Sequence, residues 1–427
     1  MSQAHSAPEL DHSAGKVAAS VSRRNVLLLS FVLLVVMIGY SVAMPLLPFY
    51  IEAFGVGGTQ LGWLMSAYSV MQLICAPLWG VLSDRYGRKP ILCVGVLGYA
   101  ISMFFIGLAN SFTMLFLARS LSGLLSSATM PSAMAYIGEN SAPGERSKGM
   151  GQLGAATGIG VIIGPLLGGV LSVKSLALPF FVGSGLAFLS LLLIIFLLPE
   201  HRPASSSAPN AVLPERSESA AQAAKPTLAL YAEVLLGPAG ILLLLLFIMS
   251  FGMTNFQGMI GLYFVDKFGS GTQQVSSIWM LMGLILIVAQ GVLVGPLSKK
   301  LGELSIIKIG LFGGALGFAL VAVALNYLTA MVALGFFILS VALIGPALNS
   351  YISGFAGRQQ GAVMGLNSAS TSLGRILGPL WGGYIYDVNI SYPFFSGAAT
   401  LALGLLVGLF TLRKQAAAIS DQPSAVG

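Results

Sequence analysis

The sequence predicts an all-α membrane protein in which twelve transmembrane helices form two pseudo-symmetric six-helix bundles. Three observations carry that expectation. Of the 427 residues, 56% are hydrophobic and 8% charged, against roughly 25% charged in an ordinary water-soluble domain, and mean hydropathy is +0.89. The apolar residues gather into runs of roughly 20, the length of helix that crosses a bilayer core, separated by Gly, Pro and charge breaks. Several short patterns also return 214 or 215 positions later. A soluble fold is excluded, and the net charge of +7 is spread over loops, leaving no continuous basic face for a nucleic acid.

Taken in order, residues 1–25 are polar, end in Arg23-Arg24 and are expected as a cytoplasmic tail. The apolar run that follows is too long, and too Pro-bound at its end, for a cleaved signal peptide. Spans are expected at 26–48, 61–80, 91–109, 112–138, 149–172 and 177–198, making an N-terminal bundle over 26–198. Residues 199–238 are rich in Ala, Ser, Pro and Glu, a composition that buries too little apolar surface to fold, and read as a flexible cytoplasmic linker. Six further spans are expected at 239–264, 275–297, 304–325, 328–353, 361–386 and 392–412, a C-terminal bundle over 239–412, before a cytoplasmic tail at 413–427. With both termini inside, two of the 21 Lys and Arg fall outside (Lys174, Lys267), two lie within spans (Arg119, Arg375) and the other 17 face the cytoplasm, as the positive-inside rule requires.

The repeat is specific. Gly80 and Ser83 return as Gly295 and Ser298, Pro131 as Pro346, Glu52 as Asp266, and Gly164-Pro165-Leu166-x-Gly168-Gly169 as Gly378-Pro379-Leu380-x-Gly382-Gly383. One offset at four unrelated places argues for a duplicated six-helix unit, the parallel-repeat plan of many secondary transporters.

Other chemistries find little support. Cys75 and Cys93 lie in apolar stretches without ligand spacing, and His5, His12 and His201 lie in polar tails or the linker, so neither a metal site nor an imidazole-activated nucleophile is expected. No Gly-x-x-x-x-Gly-Lys-Ser/Thr loop is present. The chain is expected to be no enzyme, to need no cofactor, and to take its energy from outside itself; its partners are the lipid bilayer and a small-molecule substrate, and it is expected as a monomer. A receptor or scaffold is disfavoured because short loops and a featureless linker offer partners little surface.

The loop after the second span reads Gly80-Val-Leu-Ser-Asp84-Arg85-Tyr-Gly87-Arg88-Lys89-Pro90. Gly80 and Gly87 suit close approach and a tight turn, and the cations suit the anionic inner leaflet. A single acid among Arg85, Arg88 and Lys89 suits a latch: Asp84 against the positive N-terminal end of span eleven near Gly361, with Arg85 or Arg88 pairing to Glu139. The second half carries Lys299 where the first has Asp84, so the latch is single-sided. In span five, Gly160, Gly164 and Gly168 recur every four residues with Pro165 and Gly169 beside them, a flat and slightly kinked surface for close helix packing.

These residues carry a family resemblance. The loop over 80–90 resembles the signature loop of the major facilitator superfamily, Arg119-Ser-Leu-Ser-Gly123 resembles its Arg-x-x-x-Gly motif, and GIGVIIGPLLGG at 158–169 resembles the antiporter motif of its drug:proton exporters. The resemblance spans residues 26–412 and implies the twelve-helix fold, a cytoplasmic gate built from Gly80, Asp84, Arg85, Gly87, Arg88, Lys89 and Glu139, and a leak-preventing seal formed by Gly160, Gly164, Pro165, Gly168 and Gly169. It also implies export of a drug-like compound or metabolite from a bacterial-type plasma membrane, driven by a proton gradient, as in multidrug and tetracycline efflux. A siderophore or metabolite exporter of narrow range, or a nutrient importer of the same fold, is the alternative.

A buried arginine costs at least ~2.5 kcal/mol on insertion scales, so Arg119 and Arg375 are candidate substrate or proton residues. Arg119 lies only about 10 Å inside span four at 1.5 Å per residue, within reach of the surface by snorkelling. Tyr40, Met44, Asn255, Gln257, Asn349 and Asn367 are further candidates to line a central cavity, and Glu52 at the mouth of span one is the candidate proton carrier. No Asp, Glu or His falls in the middle of any expected span, which makes the cavity net positive and favours a neutral or anionic passenger.

Overall fold

The computed structural model describes residues 12–141, 145–200, 234–355 and 360–420; most of the expected linker and the extreme termini lie outside them. Among the described residues the chain is helical throughout, without strands. The first half contains α1 (His12–Ala53), α2 (Gly58–Tyr86), α3 (Arg88–Gly107), α4 (Phe112–Ser126), α5 (Thr129–Asn140), α6 (Arg146–Ser172) and α7 (Leu178–Leu197). The second contains α8 (Pro238–Phe268), α9 (Thr272–Val288), a π-helical turn over Ala289–Leu293, α10 (Val294–Leu301), α11 (Glu303–Ala322), α12 (Tyr327–Ala342), α13 (Ile344–Phe355), α14 (Gln360–Val388) and α15 (Tyr392–Ser420). Ten stretches of described helix are long and apolar enough to cross a bilayer. Expected span eleven, α14, is not among the ten: Asn367, Ser368, Ser370, Thr371, Ser372 and Arg375 make it polar along one side.

Span four, the other expected span missing from the ten, is divided into α4 and α5, contrary to the expectation of a single run at 112–138, whereas span ten crosses as one stretch, Tyr327–Ile352, with a single turn residue between α12 and α13. Each is interrupted at the same place in its repeat, between α4 and α5 and between α12 and α13. The cause is a proline at the third residue of the second piece, Pro131 and Pro346, which has no N–H for the carbonyl four residues earlier. At the break in the first half Ala128 N–H turns to the Leu125 carbonyl at 3.2 Å, and the Leu124 carbonyl this leaves is taken up by Trp79 Nε1 at 2.7 Å and by Ser127 Oγ at 2.8 Å, so that acceptor is satisfied in a membrane interior.

The duplication reaches the backbone. Among the described residues, positive φ occurs at Gly55 (65°) and Gly269 (61°), which close the first helix of each half, and at Gly87 (99°) and Gly302 (74°), which turn the chain after the second span. Only glycine adopts this region at no steric cost. Gly57 and Gly271 then open the second span of each half by donating N–H to Gln60 Oε1 (3.1 Å) and Gln274 Oε1 (3.0 Å).

The strongest packing inside each half is likewise shared. In the first, α6 lies on α1: a methyl group on Gly164 would collide with Ser41 Oγ and the Ile38 carbonyl, and Ser41 Oγ donates to the Gly160 carbonyl at 2.9 Å. In the second, α14 lies on α8: Gly378 meets Thr254 and Phe251 in the same way, and Thr254 Oγ1 donates to the Gly374 carbonyl at 2.8 Å. Small residues let these backbones approach without side chains between them, and a hydroxyl then bonds across the gap. Large apolar side chains such as Leu27, Phe196, Val332 and Leu328 remain exposed, the surface that lipid covers.

Candidate transport cavity and gates

The two halves touch along two seams, α2 against α14 and α6 against α9. At the face that the basic-residue count assigns to the outside, glycines close both seams, against backbone in one and against a serine side chain in the other. A Cβ on Gly62 would run into the Pro379 carbonyl, one on Gly383 into the Gly58 carbonyl, and one on Gly169 would come within 2.8 Å of Ser276 Cβ. Asp387, at the end of α14, reaches over to the start of α2, where its carboxylate accepts Gly58 N–H at 2.6 Å and Thr59 N–H at 2.9 Å. Gly57 has no side chain with which to cap this helix, and α2 has no acid of its own in its first turn. The other half therefore supplies the anion its N-terminus favours. Lower in the same seam, Ser66 Oγ donates to the Ile376 carbonyl at 2.7 Å.

Toward the face carrying the basic loops, the halves part. A cavity of about 810 Å³ lies between the inner part of α6 (Gly154–Val161) and the segment Leu286–Gly291, with Met37, Tyr40, Tyr68, Gln72, Met130 and Arg375 on its walls. Gly154 and Gly291, both on that lining, have open space beside them. A second cavity of about 560 Å³ shares Tyr40, Tyr68, Gln72 and Arg375 and extends along Pro77, Pro131 and Met134. The π-helical turn at Ala289–Leu293 places Gln290 on the wall, as π-bulges do at functional positions.

Above these lies a small closed end of about 50 Å³, directly beneath the Gly62–Pro379 contact, lined by Tyr40, Met44, Met65, Tyr68, Ser69, Arg119, Thr254, Gln257, Arg375 and Pro379. Of the candidates named from sequence, Tyr40, Met44, Arg119, Gln257 and Arg375 come together here. Arg119 does not snorkel. It is 1% exposed, its guanidinium carbon lies 4.8 Å from the centre of the Tyr68 ring, and among the described residues its Nε, Nη1 and Nη2 have no hydrogen-bond partner. Tyr68 is held in place by Ser126, 3.2 Å from its hydroxyl, and by the Tyr40 ring at 5.5 Å.

The remaining candidates lie elsewhere. Asn255 is fully buried within the second half, where Nδ2 donates to the Pro393 carbonyl at 2.8 Å. Asn367 Nδ2 donates to Asn349 Oδ1 at 2.9 Å, tying α14 to α13. Glu52 is exposed at the outer end of α1, away from the cavity. Residues the sequence did not single out also line the closed end, Tyr68, Ser69, Thr254 and Met65 among them; Thr254 stands one turn before Gln257 on the same helix, while Tyr68 and Ser69 come from α2, which only the placed helices bring here.

At the loop over 80–90, Arg88 rather than Arg85 is the hub. It donates to Glu139 Oε1 from Nε (3.0 Å) and Nη2 (2.6 Å), to Ser83 Oγ at 3.2 Å, and pairs with Asp84 at 2.5 Å. Arg85 instead sits 5.5 Å over the Tyr86 ring. Lys89 Nζ donates to the Ile195 carbonyl at 2.9 Å, a cation at the C-terminal end of α7. The ion pair that Asp84 makes among the described residues is with Arg88, not across to α14; the four residues before α14, 356–359, lie outside the described set. In span five the motif divides: Gly160 and Gly164 pack on α1 within the half, while Gly169 faces Ser276 across the seam.

Two duplicated bundles around a cavity that is shut at one membrane face and reachable from the other define a carrier of the alternating-access class. The model of the Major Facilitator Superfamily matches residues 29–359, and the chain belongs to that superfamily. It is 31% identical over 372 residues to multidrug resistance protein 2 of Bacillus subtilis (strain 168), covering 87% of this chain and 91% of that one. It is 27% identical over 393 residues to the quinolone resistance protein NorA of Staphylococcus aureus (strain COL), covering 92% and 98%. Among solved structures it resembles the human organic anion transporter MFSD10 (TETRAN), with a TM-score of 0.63 at 25% identity, covering 91% of this chain and 99% of that one.

Proposed function

We propose that this chain is a secondary active exporter that takes small organic molecules from the cytoplasmic side and releases them outside in exchange for protons. The observation that carries the reading is the cavity between the halves, open toward the basic loops and sealed by Gly62–Pro379, Gly383–Gly58 and the Asp387 cap at the outer face. That is the loading state of an exporter. Its multidrug and quinolone resistance relatives support a drug-like passenger. The protein works in the plasma membrane as a monomer with both termini in the cytoplasm, and moves its passenger without covalent change.

The test is uptake into inside-out vesicles, with and without an imposed pH gradient. Uptake that rises with interior acidity and falls when nigericin collapses the gradient supports the reading. Uptake that equilibrates at the same rate without a gradient would identify a facilitator, and uptake no greater than in vesicles lacking the protein would remove transport altogether.

A further inference from the structure

A buried guanidinium with three nitrogens lacking partners is an unusual thing to keep in a membrane protein. The ring of Tyr68 attracts the charge of Arg119 but satisfies none of its five N–H donors. Buried donors are nearly always paired, and buried charges are paired or neutralised, so an exception calls for an explanation. Arg375, half-buried, faces the same closed end from the other half of the molecule. Among the described residues, no Asp, Glu or His lines this end or either of the two larger cavities that open below it. The protein places two cations across one small space and provides no anion between them.

We infer that the closed end is an anion clamp: Arg119 and Arg375 together bind the carboxylate of an amphipathic organic monoanion while its apolar body extends down into the cytoplasm-facing cavity. This deepens the export reading and rests on it. The dimensions agree. About 50 Å³ holds a carboxylate group and excludes a whole drug-sized molecule. The wall that follows, with Leu33, Val36, Met37, Pro77, Met130 and Pro131, is apolar and suits a hydrocarbon or aromatic body. Planar guanidinium forks match carboxylate geometry in a bidentate manner. Gln257, on the same lining, adds an amide that can donate to the anion or accept from a neighbouring substituent. Because one arginine comes from each half, a bound anion links the halves directly beneath the outer seam, where their separation would open the path outward.

The experiment is equilibrium binding to the full-length protein in lipid nanodiscs, with no gradient, using three probes of one skeleton: 1-naphthaleneacetate, 1-naphthaleneacetamide and 1-naphthylethylamine. The acid is expected to bind at least tenfold more tightly than the amide, with the amine weaker still. Arg375→Gln is expected to cost the acid at least tenfold and leave the amide unchanged; Arg119→Gln should do the same. Arg375 is half-buried, so its variant keeps the test alive if the Arg119 variant does not fold. Amine binding as tight as acid binding, no acid binding at millimolar concentration, or equal losses for acid and amide in Arg375→Gln would each overturn the clamp. Binding is read without flux, so an intact clamp in a protein that fails the vesicle assay sinks only the export reading, and gradient-driven flux without acid preference sinks only the clamp.

Discussion

Replacing Gly62 with alanine should push the protein out of the state described here. A Cβ at that position would meet the Pro379 carbonyl and approach the backbone of Leu380 at 3.4 Å, and Pro379 belongs to the opposite half. Backbone cannot swing aside as a side-chain tip can, so the strain falls on the seam. Overpacking by one methyl group costs about 1–3 kcal/mol, and because α2 and α14 separate at this end when the outer face opens, that cost applies to one state alone. The ratio of outward- to inward-open molecules should rise by about 5- to 150-fold. Spin labels at the outer ends of α2 and α14, read by pulsed dipolar spectroscopy, should show a longer distance in Gly62→Ala than in the parent. Gly154→Ala is the control: it faces open cavity with nothing within 4 Å and should leave the distances unchanged. Unaltered distances in Gly62→Ala, with the protein folded, would refute the claim that this seam is the outer gate.

Asp387→Asn keeps one acceptor for α2 but removes the charge; by the usual worth of an N-cap, about 0.5–2 kcal/mol, cross-linking of cysteines across the outer seam should slow several-fold. Glu139→Gln keeps an amide oxygen for Arg88 but removes the charge of the pair, and vesicle uptake is expected to fall while the amount of inserted protein stays constant, checked by immunoblot. Asp84→Asn should likewise cut uptake, yet shift the melting temperature of the inward-open protein little, because the Asp84 carboxylate is itself largely exposed. Ser41→Ala deletes the bond to the Gly160 carbonyl and should cost about 0.5–1.5 kcal/mol, seen as a lower melting midpoint, whereas Gly164→Ala adds a collision with Ser41 and Ile38 and should reduce the folded yield far more.

Much of this was legible in the chain itself. Apolar run length and the 214–215 offset are local and additive signals, and the structure expresses the offset in its two pairs of positive-φ glycines, its two Ser/Thr-to-glycine bonds and its two interrupted spans. The breaks were harder to read, because the residues between α4 and α5 stay apolar enough to pass for continuous helix and the repeated Pro131 and Pro346 look like ordinary kinks. Arg88 and Arg85 are equivalent in sequence, and only the turn at Gly87 decides which one faces Glu139. Asp387 was not legible at all. It stands one residue past an expected span end, belongs to no motif, and meets its partner Gly58 from 329 positions away.

The basic loop and the seam between the halves are made of different materials. At the loop over 80–90 the described contacts, all within the first half, are arginine and lysine with carboxylates and a carbonyl, several of them exposed; between the halves the seam is glycine against backbone or a serine side chain, with one carboxylate on a helix end. Dissolved ions weaken the first kind and scarcely touch the second. A change of ionic strength is therefore expected to loosen the basic loop well before it loosens the seam between the halves.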